Sequence, residues 1–180
     1  KEKMLQADTA FIKVDYSAVI TELEGIAPAS LPNTQKYELA FSYIQGLEFS
    51  SEQKKVILNN VTLKSDELYL TYWIQVGRNR FEEALDIAKR INDSDLILYA
   101  LTQEIKQVRE DGKLSGKDRE SKLNTLDSEY KKYWDSRSQL LTSDSSSNAS
   151  TSSSPSSQDK PSESKPSSEK KTSPSSSSSN

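Results

Sequence analysis

SDELYLTYWIQVGRNRFEEALDIAKRINDSDLILYAL, residues 65–101, is the stretch whose reading decides the fold. Tyr69, Tyr72, Trp73 and Val76 recur at i, i+3, i+4 and i+7, and after a GRNR interruption Phe81, Ala84, Leu85 and Ala88 repeat the pattern, with Ile91 continuing it. That spacing puts one apolar row on one face of each of two helices. The same template fits Tyr16, Val19, Ile20 and Leu23, then Tyr37, Ala40, Phe41 and Ile44, and more sparsely Leu101, Ile105 and Val108. Val56, Ile57 and Val61 predict a shorter helix. These recurring helical rows make the fold class all-α: an array of stacked helical hairpins.

The punctuation agrees. Gly25, Gly46, Gly77 and Gly112 each follow an apolar row, where a left-handed residue ends a helix at least cost. Asp15, Ser50, Ser65, Asn92 and Ser115 each precede one, with Gln53 and Asp118 placed as capping-box partners. Pro28 and Pro32 isolate a loop, and no proline follows until after Leu141, as uninterrupted helices require. In residues 81–89, FEEALDIAK, the aromatic and small residues are spaced as in a tetratricopeptide second helix, but no regular 34-residue repeat accompanies them. The array is therefore only partly tetratricopeptide-like.

Residues 117–141 predict a long amphipathic C-terminal helix. Leu123, Leu126, Tyr130, Tyr133 and Leu140 fall on alternating three- and four-residue steps, with Arg137 in the remaining position. Two readings of this seam stand side by side: the helix lies across its predecessors and completes their core, or it pairs with a second copy. After Leu141 there is no large apolar residue, and Ser makes up over half of what remains. Burial there cannot offset chain entropy, so residues 142–180 are expected to be a disordered Ser/Pro-rich tail. The expected division is a linker at 1–14, a helical domain at 15–141 and that tail.

Composition excludes several functions. The tail's acidic and basic residues balance, so the net charge of -3 belongs to the helical part, which argues against nucleic acid as a partner. Histidine and cysteine are absent, removing disulfides, thiolate metal sites and most nucleophile–base pairs. Glu82, Glu83 and Asp86 read as a solvated face, with Asp86 four residues before Arg90 at ion-pair spacing. Asn92, Asp93 and Asp95 open like a calcium loop, yet Leu96, Ile97 and Leu98 stand where further oxygen ligands are needed, and helix capping explains them better. The GRNR segment offers two guanidinium groups near a helix start but has no phosphate-loop spacing. The expectation is no enzyme, no metal and no cofactor. Tyr69, Tyr72, Trp73, Phe81 and Tyr99 are expected to be core, with Tyr69, Tyr72 and Tyr99 as candidates to face a partner.

Residues 52–101, EQKKVILNNVTLKSDELYLTYWIQVGRNRFEEALDIAKRINDSDLILYAL, with VDYSAVI at 14–20 and LAFSYIQ at 39–45, resemble the C-terminal region of the EssB/YukC family. That family is a membrane component of the type VII, or WXG100, secretion system of Gram-positive bacteria. The likeness runs from about Phe11 to about Val108 and omits the Ser-rich tail. It implies a single-pass membrane protein whose helical C-terminal domain lies outside the cell, so that a chain starting at Lys1 is a fragment with its anchor upstream. It further implies homodimerisation, assembly with the system's ATPase and other membrane subunits, support for export of WXG100 proteins, and no catalytic residues. The competing expectation is a tetratricopeptide-like peptide-binding adaptor on the cell surface.

Overall fold

The computed structural model describes residues 1–64 and 66–147. Eight α-helices and one 3-10 turn follow one another, and no strand occurs among the described residues: α1 (Glu2–Ile12), α2 (Tyr16–Leu23), the turn Pro28–Ser30, α3 (Asn33–Gly46), α4 (Ser51–Lys64), α5 (Glu67–Gly77), α6 (Phe81–Ile91), α7 (Ser94–Glu110) and α8 (Gly116–Ser147). The all-α expectation holds. Each helix packs on its neighbours in the chain, with one exception: α3 packs mainly on α5, and α4 is set aside, resting on α3 and touching α5 only lightly. Tyr72, Leu70, Ile74, Ile97, Leu101, Leu39 and Ile44 fill the centre of the core. Phe81, Ala84, Leu85 and Ala88 are all buried, so the apolar row of α6 faces inward as its period demands.

Residues 1–14, expected as linker, instead carry α1, which buries Ala7 and Ala10 against α2 and α3. Phe11 closes that contact by packing edge-on to Tyr16, Tyr37 and Phe41. Met4 and Phe11 join Ala7 and Ala10 in this contact, a row at helical spacing like those of the later helices. At the other end α8 continues through Ser147, past the expected boundary at Leu141. Thr142 and Ser143 hydroxyls donate back to the Ser138 and Gln139 carbonyls along it. The remaining tail residues lie outside those described.

The caps divide between agreement and correction. Asp15 accepts from the Ala18 amide. Ser50 and Gln53 form the expected capping box, whereas the Ser115 hydroxyl accepts from the Asp118 amide and donates to the Asp118 carboxylate. Ser65 lies outside the described residues, and Asp66 caps α5 by accepting from Leu68 and Tyr69. Asn92 is not an N-cap: it ends α6 in the left-handed conformation, and its neighbour Asp93 caps α7. No described glycine adopts positive φ; Val14, Asn79 and Asn92 do. Gly77 serves a different purpose, because a Cβ there would overlap the ring of Tyr43 at the α3–α5 crossing.

Candidate interaction surface

Arg78 and Tyr72, each a candidate for ligand or partner contact, turn out to be structural, and Asp93 caps a helix as expected. Arg78 of the GRNR segment donates to the Leu23 and Ile26 carbonyls at 3.2 and 3.0 Å, and more distantly to the Tyr43 hydroxyl. It is spent tying the α5–α6 turn to the end of α2 rather than holding an anion. Tyr72 is fully buried and donates to the Leu96 carbonyl at 2.8 Å, so it cannot face a partner. Tyr69 is nearly buried but lines the groove between α4, α5 and α7, and Tyr99 is half-exposed. Asp93 spends its carboxylate on the Asp95 and Leu96 amides, and no group of three or more potential metal ligands occurs among the described residues.

The long helix α8 runs back along α7. Leu126 is buried, and Leu123, Tyr130 and Tyr133 are partly buried against the core, so four of the five seam residues meet the chain's own helices. Leu140 does not; it is 66% exposed, with Leu141 beside it. The seam is thus core for its first part and overhang for its last. Polar contacts supplement this packing. Lys89 of α6 binds Glu129 of α8; burial works against its charge, but Glu129 holds its pKa above the usual value. Arg137, in the seam position, reaches Asp95 at 2.7 Å and lies over the Trp134 ring. Asp95 is the second residue of α7, so everything beyond Arg137 extends past the start of that helix.

Because α4 stands aside from α5, a groove of about 230 Å³ opens between α4, α5 and α7. Phe49, Tyr69, Trp73 and Tyr99 form its aromatic wall, Val56 its opposite lip, and Asp95 its rim. Phe49 and Tyr99 pack at 5.2 Å, and both touch Trp73. Lys64 lies over the Tyr69 ring, 5.2 Å from its centre. Periodicity could not have found this groove, which depends on where α4 sits. The available signal was Val56 and Leu63, seven apart and both exposed on α4.

Two carboxyls are buried in unfavourable surroundings. Glu38 of α3 is held up to about 7, by burial first, then by the charge of Asp8 on α1 and a hydrogen bond to it. Asp8 in turn accepts from Gln35 at 2.6 Å. Glu104 of α7 is raised by burial, with Glu82 and Glu129 adding to the shift and Lys122 and Lys89 opposing it. Both are packing sites between helices, away from any cleft that would admit a substrate.

The described domain is all-helical, with an aromatic groove between α4, α5 and α7 and the end of α8 projecting beyond α7. The sequence profile described as "WXG100 protein secretion system (Wss), protein YukC" matches residues 1–136, and the chain belongs to that family. The crystal structure of the Geobacillus thermodenitrificans EssB extracellular fragment superimposes with a TM-score of 0.72 at 42% identity, covering 79% of this chain and 94% of that one. ESX secretion system protein YukC of Bacillus subtilis is 33% identical over 132 residues, 73% of this chain and 29% of its own length. Type VII secretion system protein EssB of Staphylococcus aureus is 33% identical over 144 residues, 78% of this chain and 30% of its own. The chain spans less than a third of these curated relatives. The family is a component of a secretion system and not a known enzyme family.

Proposed function

We propose that this chain is the extracytoplasmic domain of a single-pass membrane subunit of a type VII secretion machine, acting as a non-catalytic scaffold. In this reading it forms a homodimer, is anchored by a segment preceding residue 1, and gathers the system's ATPase and other membrane subunits so that WXG100 proteins are exported. The observation that carries it is the likeness to the EssB extracellular fragment, which extends over almost all of that fragment. The site is consistent with it: Arg78 and Tyr72 tie helices to one another and Asp93 caps α7. No helix among the described residues is long and apolar enough to cross a membrane, so the domain would depend on another segment for anchorage.

Deleting this region from the parent protein in its own organism, while keeping the protein in the membrane, is expected to abolish or strongly reduce WXG100 protein in the culture medium. Undiminished export overturns the reading. The adaptor alternative predicts instead that the isolated chain binds substrate peptides tightly with no other subunit present.

A further inference from the structure

We propose that the groove between α4, α5 and α7 receives the end of α8 from a second copy of this chain. The proposal rests on the homodimer reading above and names the surface that would form it.

The groove is small. At about 230 Å³ it falls below the roughly 300–1,000 Å³ of sites that enclose whole small molecules, and it suits one or two side chains of a protein partner. Its lining is apolar and rigid: Phe49, Trp73 and Tyr99 brace one another, and Val56 stands on the facing helix. Its apolar aromatic walls can bury an apolar side chain from a partner.

The matching anchor is on the same molecule. Arg137 grips Asp95, the rim residue of the groove, and Leu140 and Leu141 follow on the next turn of α8, roughly 5 Å further along the axis. They are 66% and 57% exposed, so the chain's own groove does not take them. Trp134, one turn before Arg137, is also half exposed. A single face therefore carries both a hole and a knob, separated by one ion pair. Self-complementarity of that kind is what a two-fold contact requires, since each copy must offer the surface that the other needs. Charge does not select the partner, because Asp93 is engaged by the α7 amides, Asp95 by Arg137, and Lys64 lines the same groove, so apolar fit carries the assignment. Another protein with an aliphatic anchor would explain the hole but leave the exposed leucine pair beside it without purpose.

The absence of cysteine permits a direct test on the whole 180-residue chain. Val56→Cys and Leu140→Cys are made in separate chains, mixed and oxidised. A covalent dimer linking one variant to the other is expected, and its absence overturns the assignment. In parallel, sedimentation measures self-association of wild type, Val56→Asp and the Leu140→Asp/Leu141→Asp double variant, with circular dichroism as the check on folding. Each variant is expected to raise the dimer dissociation constant by tenfold or more, about the loss of one anchor. An equimolar mixture recovers part of the association, because one junction then joins an intact knob to an intact groove. A wild-type dimer indifferent to these changes refutes the groove and leaves the homodimer standing. A wild-type chain that stays monomeric refutes the homodimer itself.

Discussion

Replacing Glu38 with Gln should stabilise the protein, and only at neutral to alkaline pH. Glu38 is 6% exposed, its Oε2 has no hydrogen-bond partner, and Asp8 faces it from α1. Its folded-state pKa is about 7 against an ordinary 4.5, so between these values the folded chain holds a proton that the unfolded chain has released. Stability from this group is therefore complete below about 4.5, declines as the pH rises and is lost in full above about 7. The gap corresponds to as much as roughly 3 kcal/mol, at about 1.4 kcal/mol per pH unit. Gln keeps the shape, adds a donor that can serve Asp8 and never ionises. Glu38→Gln should accordingly raise the melting temperature by several degrees at pH 8, up to roughly 10 °C for a domain of this size, and leave it unchanged at pH 4. Thermal denaturation at the two pH values decides the matter. An equal shift at both, or a loss at pH 8, refutes the buried-carboxyl argument.

Gly77→Ala forces the Tyr43 ring aside at the α3–α5 crossing and should cost roughly 1–3 kcal/mol in urea denaturation; an unchanged midpoint means that the crossing is looser than described. Val14 is β-branched at φ 62 with its side chain exposed, so Val14→Gly relieves left-handed strain and should gain about 1 kcal/mol, read as a higher melting temperature. Arg78→Lys cannot reproduce the two-carbonyl grip on Leu23 and Ile26 and should destabilise by roughly 1–3 kcal/mol, whereas a neutral result removes the tether from the account.

The helices were legible in the sequence where large side chains repeat on one face, as in Tyr69, Tyr72, Trp73 and Val76. Helical spacing in Met4, Ala7 and Phe11 likewise marks α1, where a linker was expected. Adjacent residues of similar chemistry defeated the finer reading: Asn92 and Asp93 can each cap or end a helix, and only the backbone decides which does so. Glycine suggested left-handed turns that Asn79, Asn92 and Val14 supply instead. Periodicity located the α8 seam but could not say what it met, because a repeat identifies a face and leaves its partner undetermined. Leu123 to Tyr133 meet α7 and the core, whereas Leu140 lies beyond the reach of both. The groove depends on α4 standing aside from α5, a tertiary fact with no local signature.

The overhang of α8 also sets how the molecule would bear a mechanical load. A pull on its C-terminal end, directed away from α7, reaches Arg137 and Asp95 first, then Tyr133, then Tyr130, so the contacts are loaded one after another and the helix unzips at low force. The same pull directed along the helix axis loads them together in shear, and resistance is then much greater. The end of α8 thus makes the domain compliant in one direction and stiff in another.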